Sequence, residues 1–98
     1  MKIQVTVTPE NVTKYPLHKH DVYEIIYYVD GNGFLHTQEQ DYPFQKGTIL
    51  LVPPNLSHGS VSERGFQNIC VHTDDVFLDF SNVIVSSDNT DGDVETLA

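Results

Sequence analysis

An all-β barrel or sandwich is the fold this sequence predicts, and three observations predict it. Short stretches rich in β-branched and aromatic residues recur along the chain. Gly, Pro, Asn and Asp mark turns between them at short intervals. No helical period occurs before the last five residues. A chain of 98 residues suffices for one domain with one modest core, and it contains no repeat of solenoid length.

Ile3, Val5 and Val7 alternate with Gln4, Thr6 and Thr8, the period of a half-buried strand. Pro9 ends it, and residues 9–16 read as a loop. His18 to Val29 reads as strand from its β-branched and aromatic content. Gly31-Asn32-Gly33 is a tight turn, because Gly and Asn accept positive φ, and Phe34 to Gln38 is then a returning strand. After a second turn at Glu39-Gln40-Asp41 comes the edge-like Tyr42-Pro43-Phe44, where Pro43 lacks a ladder donor. Lys46-Gly47 turns the chain into Thr48 to Val52, a continuous apolar run expected to be buried on both faces. In Pro53-Pro54-Asn55-Leu56, Pro54 sets φ for the first corner of a turn and Asn55 accepts the left-handed conformation at the second. His58 to Val61 is a short strand, Ser62 to Gly65 a turn, and Phe66 to Thr73 a further strand. Val76 to Phe80 and Val83 to Val85 mix apolar residues with Asp and stay ambiguous. Ser86 to Asp93 is loop-like, and Val94 to Ala98 resembles the first turn of a helix capped by Asp91 or Asp93. The reading places the barrel in residues 1–85 and a polar, acidic linker with the start of a cut helix in residues 86–98.

The net charge is −9 with His neutral, and every charged side chain from Asp74 onward is acidic. Such a chain repels nucleic acid and anionic membrane, and it has no basic patch to follow phosphates. Cys70 is the single cysteine, so no internal disulfide forms. The N-terminus lacks an apolar signal core and no apolar run has the length of a membrane span. A cytoplasmic protein is expected.

The chemistry concentrates in two stretches, His18 to Glu24 and Gly47 to His58. His18 and His20 are two apart and face the same way on a strand. Glu24 would lie ~13 Å along a straight strand from His20, too far to share an ion. The chain must therefore turn a corner near Asp21–Tyr23, as strands do where they change sheet. His58 then arrives from a separate strand, after the rigid double proline. Three neutral imidazoles and one carboxylate make a mixed nitrogen and oxygen site that suits Zn, Mn, Fe, Ni or Co. Periodicity speaks against Glu24. Tyr23, Ile25, Tyr27 and Val29 form an apolar face, and burying that face would leave Glu24 in solvent. If Glu24 points inward, that odd-numbered face needs cover, for which a second subunit is the candidate.

The residues carry a family resemblance. The first cupin motif is Gly, five residues, His-x-His, three or four residues, Glu, six residues, Gly. Here His18-x-His20, three residues, Glu24, six residues and Gly31 match it, with Val12 in place of the leading Gly. The second is Gly, five residues, Pro-x-Gly, two residues, His, three residues, Asn. Gly47, Pro53, Asn55, His58 and Ser62 fall in its register, with Asn55 and Ser62 as departures. The stretch from His18 to Ser60 resembles the N-terminal cupin sensor domain of AraC-type transcriptional regulators. The resemblance implies a small cupin β-barrel that binds a small-molecule effector, a divalent metal, or both, within the barrel. It also implies a helix-turn-helix DNA-binding domain beyond Ala98, so that this chain itself makes no nucleic-acid contact. A homodimer is the expected assembly.

Other reactive residues read more simply. His36 and His72 are ordinary strand residues outside the motifs. Cys70, between Ile69 and Val71, is a small buried hydrophobe. Tyr23, Tyr27 and Tyr28 are core or interface aromatics. No nucleophile elbow or triad order is present; Gly31-Asn32-Gly33 lacks the helix of a dinucleotide site; the acidic run lacks the register of a calcium loop. Two functional classes remain: a non-catalytic effector sensor of a regulator, and a stand-alone metal-dependent cupin enzyme such as a dioxygenase or isomerase.

Overall fold

A computed structural model of the protein describes residues 3–9, 11–74 and 82–87. Within these residues every regular element is a strand: β1 (Ile3–Val7), β2 (Val12–His18), β3 (Tyr23–Gly31), β4 (Gly33–Thr37), β5 (Asp41–Phe44), β6 (Thr48–Val52), β7 (His58–Thr73) and β8 (Ile84–Ser87). All-β architecture is as expected. Val76 to Phe80 and the helical turn at Val94 to Ala98 lie outside the described residues.

β7 is the spine. Its first half, from His58, pairs with β2 on one side and β4 on the other; its second half, to Thr73, pairs with β1 and β3. One sheet is therefore β1-β7-β3-β6-β8 and the facing sheet is β2-β7-β4-β5, with β7 common to both. The chain folds over from one sheet to the other at a shared corner formed by Asn11, Gly31 to Gly33, and Ser62 to Gly65. Glycine is required there. A Cβ on Gly31 would run into the Gly65 carbonyl and Phe66, and one on Gly33 into the Val61 carbonyl. Gly31 and Gly65 also hold φ of +89° and +103°, and Asn11 holds 61°.

This topology corrects several expectations. Gly31-Asn32-Gly33 does redirect the chain, but β4 does not return beside β3. It passes into the opposite sheet and pairs with the other half of β7. Likewise, Ser62 to Gly65 does not separate two strands, because ladder pairing with neighbours that bend at the same level continues around the corner. Residues 12–16, expected in a loop, belong to β2. Pro16 is accommodated because the β2–β7 register shifts between Tyr15 and His18, where a missing N–H breaks no ladder bond. Ser86 and Ser87, expected in a loop, are strand.

On β3 the even side faces in: Glu24, Ile26 and Tyr28 are buried, and Tyr23, Ile25, Tyr27 and Val29 are half-buried on the outside. On β1, Ile3, Val5 and Val7 are more than half exposed and are not the inner side expected of a half-buried strand. β6 is buried on one face only, through Thr48, Leu50 and Val52. The registers align Val5, Val71, Ile25, Leu51 and Ile84 in one outer row across all five strands of the first sheet. The core between the sheets is Ile26, Tyr28, Leu35, Phe44, Leu50, Val52, Phe66 and Val83. Its aromatic part sits near the corner, leaving the opposite rim for polar groups.

Candidate metal and ligand site

Strand ends converge at the rim away from the corner. β2 ends on His18, the chain bends at Asp21 and Val22, and β3 begins at Tyr23, the corner that a shared His20–Glu24 site requires. The double-proline turn is tied to this bend by the Asn55 N–H, which donates to the His20 carbonyl at 2.6 Å. Asn55 has φ 66°, the left-handed conformation expected of it. His18 and His58 face each other across the β2–β7 ladder.

The four residues singled out from the sequence meet here. Donor atoms of His18, His20 and Glu24 lie within 4.8 Å of one another. His58 joins through Glu24, its Nε2 standing 2.5 Å from Oε1, and its ring centroid is 4.5 Å from that of His18. Glu24 is 4% exposed and His58 is 2% exposed, so the carboxylate points inward despite the apolar periodicity of its strand.

His72 is the residue sequence reasoning missed, and its assignment as an ordinary strand residue is corrected. Its Nε2 lies 2.8 Å from Glu24 Oε2, and its ring is 4.4 Å from that of His20. The signal was present in β7, where Asn68, Cys70 and His72 alternate with the apolar Ile69 and Val71. Reading their side as the inner one requires knowing that Glu24 faces in, because Glu24 and His72 are direct cross-strand partners. His36, by contrast, pairs with Asp41 on the exposed surface, as a strand residue does.

Backbone acceptors set the imidazoles. The Nδ1–H of His18 donates to the Pro16 carbonyl and that of His58 to the Leu56 carbonyl, each at 2.8 Å. A carbonyl only accepts, so in both rings Nδ1 carries the proton and Nε2 is left for the centre. Burial pushes the Glu24 carboxyl up, but the hydrogen bond and charge of His58, followed by those of His72, outweigh it and hold it down at about 2. Burial pulls His58 down, but its bonds to Glu24 and Leu56 outweigh that and raise it. The two shifts run in the sense of an ion pair, the carboxyl more readily ionised and the imidazole more readily protonated than usual. Burial lowers His20, ahead of the opposing charge of Glu24, which favours the neutral, ligating form. Burial pushes the Cys70 thiol up to about 12, so it supplies no thiolate.

A cavity of about 70 Å³ adjoins the cluster and continues inward past Ser60, Asn68 and Thr8. The donor set passes the test for a divalent ion. Two of the rings, His18 and His58, are fixed through Nδ1 by second partners, as ligating histidines are, and a buried carboxylate is at hand in Glu24.

Two facing sheets folded at a glycine corner, with a His and Glu cluster at the open rim, define a cupin barrel. Solved structures agree on that fold. AerE from Microcystis aeruginosa aligns with TM-score 0.68 at 22% identity, over 89% of this chain and 43% of that one. A cupin-2 domain protein from Shewanella frigidimarina aligns with TM-score 0.63 at 16% identity, over 70% and 68%. The DMSP lyase DddQ from Ruegeria pomeroyi aligns with TM-score 0.60 at 19% identity, over 79% and 40%. More narrowly, residues 9–78 match the AraC-like ligand binding domain, and the chain belongs to that family. It is also 43% identical over 49 residues, half of its length, to the uncharacterised HTH-type transcriptional regulator YfiF of Bacillus subtilis (strain 168). The chain spans 16% of that regulator's length. No helix of the described residues is long and apolar enough to cross a membrane.

Proposed function

We propose that this domain is the effector-sensing part of an AraC-type transcriptional regulator, and that a divalent metal held by His18, His20, Glu24 and His58 is part of what it senses. One observation carries the metal reading: donor atoms of His18, His20 and the buried Glu24 lie within 4.8 Å of one another, and His58, its Nδ1 fixed by the Leu56 carbonyl, meets the same carboxylate through Nε2. A bound ion would supply a positive charge and open coordination positions to which a small ligand in the adjoining cavity attaches. The chain's own residues do the rest. Glu24 and the imidazoles provide the donors, His58 gives up its Nε2 proton as it becomes a ligand, and Ser60, Asn68 and Thr8 offer polar contacts deeper in. Zn, Ni, Mn and Fe all suit this donor set.

The regulator reading rests on family membership and on the likeness to an HTH-type protein. It places the DNA-binding domain outside this chain, a small-molecule effector in the barrel and the whole protein in the cytoplasm. It further takes the barrel through β8 to Ser87, two residues past the expected boundary at 85, and makes the acidic residues after it a linker. The apolar outer row from Val5 to Ile84 is the surface on which a second copy would pack; a monomeric mass by light scattering at high concentration contradicts that dimer. A metal-dependent enzyme uses the same donor set, and substrate turnover by the metal-loaded chain would favour it. The test is calorimetric titration of the chain, purified without a nickel column, with Zn, Ni, Mn and Fe salts. One equivalent bound with proton release is expected, and no saturable binding by any of them rejects the metal reading.

A further inference from the structure

We propose that His72 is a positioning residue of the metal site: by engaging Glu24 Oε2 it leaves one carboxylate oxygen, Oε1, to join the three ligating imidazoles. This rests on the metal reading above and adds a residue outside both sequence motifs.

The two oxygens of Glu24 are divided between two imidazoles, Oε1 to His58 at 2.5 Å and Oε2 to His72 at 2.8 Å. These come from opposite sheets, because His58 begins the first half of β7 and His72 lies near the end of its second half. Fourteen residues of straight strand would separate them by ~46 Å, so the glycine corner is what lets one strand grip a carboxylate from both sides. The two imidazoles differ in preparation. His58 is 2% exposed and its Nδ1 is committed to Leu56, the arrangement of a ligand. His72 is 16% exposed, and it stands directly across the ladder from Glu24 on the same strand face. A carboxylate free at both oxygens can chelate an ion through both. With Oε2 engaged it donates one, giving three nitrogens and one oxygen, a set that suits a four-coordinate ion and leaves positions open on a six-coordinate one.

Cobalt(II) titration followed by visible absorption tests this, because band intensity reports coordination number. His72→Leu is expected to bind Co(II) about 10- to 100-fold more weakly and with a changed band, since Glu24 is released to offer both oxygens. His72→Gln, whose amide nitrogen reaches as far as the ring Nε2, restores affinity and band. His72→Asn, whose amide stops short, behaves like His72→Leu and replaces it if the leucine variant does not fold. Parental affinity and band in His72→Leu, or a glutamine variant no better than asparagine, overturns the role of His72 while leaving the metal reading standing. Absence of Co(II) binding by the parent overturns both.

Discussion

The two ends of the barrel interior are built from the same strands and do opposite work. Near the corner, Tyr28 stacks on Phe44 at 3.7 Å between ring centroids, and Phe66 meets both rings edge-on. At the open rim, two inward positions further along β3, Glu24 sits among four imidazoles. Between them lie small polar side chains; the Tyr28 hydroxyl is 2.9 Å from Ser60 Oγ, so even the aromatic end presents its one polar atom toward the middle. The corner end carries stability through buried apolar area, while the rim end holds charges at a desolvation cost that their mutual hydrogen bonding offsets.

Substitutions at the corner should separate the two ends most clearly. Phe66→Ala removes a ring that is 2% exposed and should lower stability by about 3–5 kcal/mol, read from urea midpoints. Metal bound per folded molecule should be unchanged; if it falls in step with stability, the two ends are not independent.

Acidity should act on the rim and spare the aromatic end, which carries no carboxylate or imidazole. Glu24 is held at about 2 against an ordinary 4.5, so its contribution is complete above pH 4.5 and is lost as pH falls toward 2. That loss is on the order of 3 kcal/mol. His58 is raised above 6.5, so its contribution is present below that value and is lost as pH rises through its folded pKa. The pair's joint contribution to the metal-free protein should therefore be largest between about pH 4.5 and 6.5, with the lowered His20 opposing it as pH falls below 6.5. Denaturant titrations across pH check this, and a maximum above pH 8 would contradict the ion pair.

The smallest expected change in stability comes from His18→Ala. Its ring is half-buried and makes one hydrogen bond, to the Pro16 carbonyl, so under about 1 kcal/mol should be lost. Metal affinity should nevertheless fall by more than tenfold, and an unchanged affinity would remove His18 from the site.

Much of the site was legible because spacing encodes it. His18, His20 and Glu24 implied a bend before Tyr23, and the bend lies at Asp21–Val22. The Pro53-Pro54-Asn55 turn was readable from φ preferences alone. Sidedness was not. Ile25, Tyr27 and Val29 look like a core face, and only the facing sheet, brought over at a corner assembled from three separate stretches of chain, makes Glu24 the inner residue. His72 was hidden for the same reason, since its role is set by cross-strand register and not by any spacing within β7. The strand at residues 12–18 was obscured by Pro16, whose missing donor is harmless where the register shifts.

His18, His20, Glu24 and His58 should together take up one ion at the rim, with the His58 Nε2 proton displaced. Anomalous diffraction at the zinc edge, from crystals grown with one equivalent of Zn, tests this most directly. A single peak is expected within bonding distance of His18, His20 and His58 nitrogens and one Glu24 oxygen. A peak on the acidic surface with none at the rim, or a rim ion that leaves Glu24 uncoordinated, would contradict it.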